Sequence, residues 1–286
     1  MENISCFNEA KHSSNEWNTS IINIKNSVLR ALIGYISQKR KHVDKLAKNL
    51  PLNSIILDAG CGKGAYSIWL LNKKKFKVVC ADISFVALKQ IKSLNKKKCL
   101  SGKLMPVCAD LCYLPFKHEV FDGIFSIDVL GHVKNIFFTL NEFFRCAKKN
   151  SLLFLHSECN DYQKRWPDKM LYKKTGKDIL AQLDGHINLL GAQELFIEYS
   201  RRFYVLWFDN PAGYFGWLLG YPEKYSIAFE HAKIYHISLL LKILGKIKKM
   251  PLLGILLRFI NATTNHIETF LGLSGGGSCF AFLKKP

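Results

Sequence analysis

The stretch SIILDAGCGKGAYSIWLL, residues 54–71, decides the fold. Apolar residues lead into Asp58, and three glycines then occupy alternate positions, Gly60, Gly62 and Gly64. The pattern becomes helical after Gly64, so the stretch predicts a buried strand, a tight turn and a helix. Glycines let the backbone of such a turn approach a ligand closely. Because Asp58 would repel a pyrophosphate, we expect the ligand to carry positive charge at this point.

Further strand-like and helical segments alternate along the chain. Strands are predicted at 76–82, 103–109, 121–128 and 151–157, and helices near 84–97 and 134–148. This alternation predicts a parallel α/β sheet with helices on both faces. A helix at 193–200 and strands at 203–208 and 278–285 are expected to follow. We therefore divide the chain into an N-terminal helical segment (1–50), a sheet domain (51–209 and 275–286) and a helical insertion (210–274).

Composition narrows the class of protein. The 286 residues include nine cysteines, but no CxxC pair indicates a disulfide framework or a zinc site. Neither a transmembrane-length apolar run nor a signal-peptide pattern is found, so we expect a cytoplasmic protein, with membrane association left open. The net charge of +19 indicates an anionic partner, either nucleic acid or a membrane surface, or else a coding bias towards Lys, Asn and Ile.

The segment LDAGCGKG, residues 57–64, resembles motif I of the class I S-adenosylmethionine-dependent methyltransferases. Asp82 stands where this family has an acidic residue that binds both ribose hydroxyls. Asp110 and Leu111 resemble the segment that contacts the adenine. FDGIFSIDVLGHVKN, residues 121–135, resembles the fourth strand of the family and the turn after it. The resemblance implies a Rossmann-like, seven-stranded, mostly parallel sheet, S-adenosylmethionine as cofactor and S-adenosylhomocysteine as product.

Cofactor-binding positions follow from this resemblance and from the chemistry of the residues. A carboxylate at Asp58 suits the ammonium group of the methionine part, and Asp82 has two oxygens for two hydroxyls. Exposed amides in the glycine turn suit the carboxylate of the same part. The residues predicted to bind the cofactor are Asp58, Ala59, Gly60, Cys61, Gly62, Gly64, Asp82, Ile83, Asp110, Leu111 and Ile127.

His132 is the predicted catalytic residue, because it lies just past the fourth strand, beside the expected methyl group. The stretch 128–132 is similar to the acidic-x-x-Glu-His pattern of some ubiquinone-pathway O-methyltransferases, where the pattern contributes to metal binding. Gly131 replaces the Glu here, so we predict no metal. His156 and Glu158 share a face at the end of the fifth strand. They are candidates for the acceptor pocket or for local hydrogen bonding.

The predicted insertion bears on the acceptor. Residues 231–267 contain six basic residues and no acidic one, between apolar runs. This pattern predicts a helical lid over a small acceptor. The alternative is a pair of interfacial helices in peripheral contact with an anionic membrane. An aromatic cluster is expected to shape an apolar pocket; it comprises Trp207, Phe208, Tyr214, Phe215 and Trp217.

The sequence therefore predicts an S-adenosylmethionine-dependent methyltransferase with a small, apolar or lipid-linked acceptor. Two other functions stay open. An RNA or protein methyltransferase would explain the charge, although neither an RNA-binding module nor an Asn-Pro-Pro-Tyr type motif is found. A regulator that binds S-adenosylmethionine without turnover would use the same fold.

Overall fold

A computed structural model of the chain describes residues 35–73, 76–161, 167–210, 221–250 and 276–286, together with a few positions between 253 and 260. Seven strands form one sheet: β1 Ile55–Ala59, β2 Lys77–Asp82, β3 Leu104–Cys108, β4 Phe121–Ile127, β5 Ala147–Glu158, β6 Tyr204–Asp209 and β7 Ser278–Lys284. Their order is β3-β2-β1-β4-β5-β7-β6, with β7 antiparallel to both neighbours. The predicted seven-stranded, mostly parallel sheet is confirmed.

Ten helices are described: α1 Tyr35–Lys48, α2 Ala65–Lys73, α3 Phe85–Leu94, α4 Lys96–Leu100, α5 Ile136–Cys146, α6 Asp168–Thr175, α7 Ile179–Asp184, α8 Ala192–Ser200, α9 Pro222–His231 and α10 Tyr235–Lys249. At the start of several of these helices, a side chain accepts a hydrogen bond from an amide of the first turn. Ser84 accepts a hydrogen bond from the amide of Ala87 at the start of α3, as its sequence position predicts. Asn135 caps α5 in the same way.

Apolar cores fill both faces of the sheet. On one face, α1, α2 and α3 cover the sheet through residues such as Leu46, Leu70 and Ile91. On the other, α5 and α8 contribute Leu140 and Leu195. The central strands are buried on both sides, which explains why their sequences read as near-continuous apolar runs. The helices on both faces that the sequence predicts are therefore present.

A third apolar cluster joins α6 and α7 to α9 and α10, and we call these four helices the helical layer. Leu171 and Leu180 from the first pair pack with Tyr225 and Phe229 of α9. The insertion predicted at 210–274 thus shares its core with residues 168–184. The periodic pattern of α6 and α7 is too short to reveal this partnership, because the contact depends on a distant segment.

The prediction that an aromatic cluster shapes the acceptor pocket is wrong for Trp207 and Phe208, its two members among the described residues. Trp207 and Phe208 lie on the outermost strand, β6, and pack on opposite faces of the sheet. Trp207 stacks on His42 of α1, with ring centroids 5.0 Å apart. Successive strand residues point to opposite faces, so the two cannot line one wall. Tyr214, Phe215 and Trp217 lie outside the described residues, as do positions 1–34 of the predicted N-terminal helices.

No described helix combines the length and apolar character needed to cross a bilayer.

Candidate cofactor and acceptor site

The predicted cofactor residues meet at one edge of the sheet. Strand order reverses between β1 and β4, since β2 lies on one side of β1 and β5 on the far side of β4. Ligands of open α/β sheets bind at such a switch point, outside the carboxyl ends of the strands. Asp58, Asp82 and Ile127 lie at the carboxyl ends of β1, β2 and β4. The fold thus brings together residues that are up to 69 positions apart in sequence.

Glycine is required at the three positions of the turn for different structural reasons. All have positive φ, with values of 78°, 50° and 72° for Gly60, Gly62 and Gly64. A Cβ on Gly60 would lie 2.3 Å from Val129, and one on Gly64 would lie 2.9 Å from Ile91. A Cβ on Gly62 would meet no described atom within 4 Å. Gly60 and Gly64 therefore serve the packing of the protein, whereas Gly62 borders open space that a ligand can enter.

Asp82 is buried and holds the glycine turn in place. One carboxylate oxygen accepts a 2.7 Å hydrogen bond from the Gly62 amide, and the other accepts one of 2.8 Å from the Ser84 amide. A carboxylate oxygen has two lone pairs, so each oxygen can accept one more hydrogen bond. Two neighbouring hydroxyl groups fit this remaining capacity.

Asp58 is also buried, and its Oδ2 accepts a 2.6 Å hydrogen bond from Ser67. Burial raises the pKa of this carboxyl to about 7; the hydrogen bond from Ser67 opposes the rise and the charge of Asp82 adds to it. A positively charged ligand group beside Asp58 would favour the ionised form. The two carboxyls at adjacent strand ends thus suit a ligand with hydroxyl and ammonium groups.

The segment after β3 borders the same edge. Asp110 Oδ1 accepts a hydrogen bond from the Cys112 amide, and Lys134 Nζ lies 3.8 Å from Oδ2. Leu111 is buried against the core. Ile83, next to Asp82, is exposed and offers an apolar surface that a flat ring can cover.

His132 lies in a short turn, Leu130–His132, directly after β4. Its Nδ1 is 3.2 Å from the carbonyl oxygen of Gly185, and its ring centroid is 4.7 Å from that of His186. The carbonyl oxygen of Gly131 accepts hydrogen bonds from the amides of Ile187 and Asn188. The loop after α7 is therefore fastened to the turn that carries His132.

A partly buried polar cluster, which the sequence patterns do not predict, lies beneath this turn. Lys39 of α1 contacts Asp128, with 2.7 Å between Nζ and Oδ1, and His156 Nδ1 lies 2.8 Å from the same oxygen. Burial raises the pKa of Asp128, but the charge of Lys39 and the contact with His156 outweigh it and hold the pKa well below its usual range. No local pattern could reveal a contact between residues 89 positions apart.

His156 does not line an open pocket, which corrects one of the two expectations for its strand end. Its side chain is buried, and its ring packs edge-on against Phe280 with centroids 4.4 Å apart. Burial lowers the pKa of His156, and the charge of Lys39 lowers it further, which favours the uncharged ring. It belongs to the core beneath the site.

Comparison with known proteins bears on what this edge binds. Residues 57–155 match a family model described as a methyltransferase domain. An uncharacterised protein of Methanocaldococcus jannaschii is 36% identical over 102 residues, which are 35% of this chain and 39% of that protein. A 24-methylenesterol C-methyltransferase of Arabidopsis thaliana is 33% identical over 97 residues, or 34% of this chain and 27% of that protein. The chain thus spans well under half the length of these relatives.

A solved structure of geranyl diphosphate C-methyltransferase from Streptomyces coelicolor has the same fold. Its TM-score is 0.56 at 12% identity, and the match covers 87% of this chain and 76% of that one. The family match contains the glycine turn, Asp82, Asp110 and the turn with His132. Residues 57–155, set in this seven-stranded sheet, therefore form a methyltransferase domain of the class I, S-adenosylmethionine-dependent family.

Proposed function

We propose that the protein transfers a methyl group from S-adenosylmethionine to a small, apolar or lipid-linked acceptor. The observation that carries this proposal is the meeting of the glycine turn, Asp82 and Asp110 at the edge where β1 and β4 diverge. The spare hydrogen-bonding capacity of Asp82 fits a ribose, and the open space at Gly62 fits a ligand that passes close to the backbone.

The bound cofactor supplies an electrophilic methyl group on a positively charged sulfur. Asp82 accepts hydrogen bonds from the two ribose hydroxyls. Asp58 accepts a hydrogen bond from the ammonium group, directly or through water. Ile83 and Leu111 provide apolar contact for the adenine. Asp110 accepts a hydrogen bond from the adenine amino group. Methyl transfer to a good nucleophile depends on an aligned approach of the two reactants and depends less on the removal of a proton. Positioning therefore supplies much of the catalysis.

We assign His132 and the helical layer to the acceptor side. A carbonyl oxygen can only accept, so His132 Nδ1 donates to Gly185 and the lone pair of the neutral ring lies on Nε2. That nitrogen can take a proton from an acceptor or orient its polar group. The Arabidopsis relative is named for 24-methylenesterol and the structurally similar Streptomyces enzyme for geranyl diphosphate, and these names support an apolar or lipid-linked acceptor.

The decisive experiment is methyl transfer itself. Purified protein would be incubated with S-adenosylmethionine labelled in the methyl group and with a cell extract separated into lipid, RNA and protein fractions. We expect label in the lipid or small-molecule fraction. Label in RNA or protein would support the alternative acceptors instead, and cofactor binding without label in any fraction would support a regulator.

Replacement of Asp82 tests the ribose assignment. We expect Asp82→Ala to weaken S-adenosylhomocysteine binding by about 1.5–3 kcal/mol, the usual value of hydrogen bonds to a charged group. Isothermal titration calorimetry measures the change. Asp122→Ala, at the amino end of the sheet, is the matched control, since Asp122 pairs there with Lys148. Unchanged affinity in a folded Asp82 variant would remove the assignment.

The raised pKa of Asp58 predicts a pH dependence. The folded value of about 7 exceeds the reference value of 3.8, so the free protein is stabilised at low pH and loses that stability as pH rises from about 4 to 7. Binding of an ammonium group favours the carboxylate, so affinity should rise with pH, by at most about tenfold per unit below pH 7. Calorimetry in two buffers would detect the released proton. Asp58→Asn should abolish the pH dependence, and a retained dependence would contradict the assignment.

The outer face of α10 supports peripheral contact with an anionic membrane as a second candidate property. Leu239 and Leu240 are 61% and 57% exposed there, and the exposed Lys246 follows on the same helix, two turns after Leu239. The other three lysines of the helix have partners. Lys242 pairs with Glu230, Lys249 Nζ lies 3.6 Å from Glu223, and Lys248 Nζ lies 5.6 Å from the ring centroid of Tyr221.

Vesicle sedimentation tests this surface. We expect the protein to bind vesicles that contain phosphatidylserine at low salt and to dissociate as salt is added, because surface attraction is screened. Leu239→Glu should weaken binding, whereas Leu100→Glu, at an exposed site on α4, should not. Lack of binding at low salt would leave the helical layer as a lid over a small acceptor.

A further inference from the structure

Three side chains with metal-binding atoms meet beside the turn after β4. His132 comes from that turn, Glu158 from the end of β5, and His186 from the loop after α7. One ligand atom of each lies within 4.8 Å of those of the other two. We propose that His132, Glu158 and His186 bind one divalent first-row transition metal ion, with Zn²⁺ as the reference ion.

Glu158 and His186 make no hydrogen bond with each other that would explain their burial. Glu158 and His186 have side chains that are only 10% and 7% exposed, yet Oε1 and Nε2 are 3.8 Å apart, beyond hydrogen-bond distance. Glu158 Oε2 and His186 Nδ1 are buried with no hydrogen-bond partner among the described residues. A metal ion between Glu158 Oε1 and His186 Nε2 would account for this separation, because it binds a carboxylate oxygen and a neutral imidazole nitrogen together.

The separation of these groups also fits a metal. Ligands with bond lengths of about 2.0–2.2 Å lie roughly 3–3.6 Å from one another around one ion. The 3.8 Å between Glu158 Oε1 and His186 Nε2 exceeds this only slightly. Closure by a few tenths of an ångström, within reach of side-chain rotation, brings the pair to coordination distance.

Surrounding backbone groups orient the ligands. The carbonyl of Gly185 accepts from His132 Nδ1, which leaves Nε2 as the coordinating nitrogen of that ring. The amides of Ile187 and Asn188 donate to the carbonyl of Gly131, and the Asn188 side chain donates to the carbonyl of Val133 at 2.7 Å. These bonds fasten the loop of His186 against the turn of His132, so the two imidazoles are held side by side before any ion binds.

Gly131 explains why the sequence pattern argued against a metal here. A Cβ at this position would lie 2.9 Å from His186 Cδ2 and 3.4 Å from Glu158 Oε2. The glycine thus makes room for two side chains that come from other parts of the chain. Glu158 supplies, from β5, a carboxylate beside the position where the resembled pattern has its own Glu.

The donor set selects the class of metal. Two imidazoles and one carboxylate suit Zn²⁺, Fe²⁺, Co²⁺ or Ni²⁺, whereas Mg²⁺ and Ca²⁺ prefer oxygen ligands throughout. Three protein ligands leave at least one coordination position open. That position would hold an oxygen of the acceptor, a role that rests on the methyl transfer proposed above. In that case His132 Nε2 holds the metal rather than a proton.

Metal binding can be measured without any methyl transfer. The full-length protein would be treated with a chelator and then titrated with Co²⁺, whose visible absorption reports the ligand set, followed by competition with Zn²⁺. We expect one Co²⁺ per chain, displaced by one Zn²⁺. His186→Ala and Glu158→Gln should each weaken binding by at least about tenfold, while His118→Ala, at an exposed site outside the cluster, should not.

Thermal unfolding separates binding from folding. Zn²⁺ should raise the melting temperature of the wild type and of His118→Ala, but not of Glu158→Gln, because a ligand stabilises only the form that binds it. The inference is overturned if the wild type binds no metal, or if the cluster variants bind it as the wild type does. Metal binding without methyl transfer would refute the proposed function and leave this site standing.

Discussion

Gly62→Val is expected to reduce S-adenosylhomocysteine affinity by more than about 100-fold, or roughly 2.7 kcal/mol, while the sheet stays folded. The side chain would project into space that no described atom occupies within 4 Å, so its main conflict is with the ligand. The positive φ of 50° adds a local cost of about 1–2 kcal/mol for a residue other than glycine. Calorimetric titration and circular dichroism measure the two effects separately.

Gly60 provides the contrasting variant. A Cβ there would lie 2.3 Å from the side chain of Val129, so Gly60→Val conflicts with the protein itself. We expect this variant to lose stability in the absence of ligand, by about 3 kcal/mol or more. If Gly62→Val bound the ligand normally, or if the two variants were equally stable, the assignment of the turn would be wrong.

Lys39→Met is expected to destabilise the fold by about 1.5–3 kcal/mol, because it removes the cation that contacts the half-buried carboxylate of Asp128. For a chain of this size the melting temperature would fall by roughly 5 °C. The Lys39 side chain is largely buried, whereas that of Asp128 is 29% exposed, so solvent compensates only partly for the lost charge. Lys41→Met, at an exposed site on the same helix, is the matched control and should leave the melting temperature nearly unchanged.

A double variant makes the test specific. In Lys39→Met with Asp128→Asn, neither charge is left alone, so the loss of stability should be smaller than the sum of the two single losses. Additive losses would show that the contact contributes nothing, and that Lys39 matters only through the packing of its methylene groups.

The strands, the glycine turn and the cofactor edge were predictable from sequence because their signals are local. A buried parallel strand needs a continuous apolar run, as in IILDA at 55–59, and a turn with positive φ at alternate positions needs Gly60, Gly62 and Gly64. Asp82 could be placed at a strand end for the same reason. The parallel alternation of strands and helices then fixed which edge the ligand uses.

Tertiary structure brings together the side chains that we propose for the acceptor side. Glu158 and His186 meet His132 only because the loop after α7 is hydrogen-bonded to the turn after β4. In addition, α6 and α7 pack against α9 and α10. Likewise Lys39 reaches Asp128 across 89 positions, and Trp207 faces α1 rather than a pocket. Periodicity specifies which face of an element is apolar, but it does not specify the partner of that face. The sequence alone therefore placed the predicted cofactor-binding residues at one edge of the sheet, whereas packing between distant segments decided which groups lie on the proposed acceptor side.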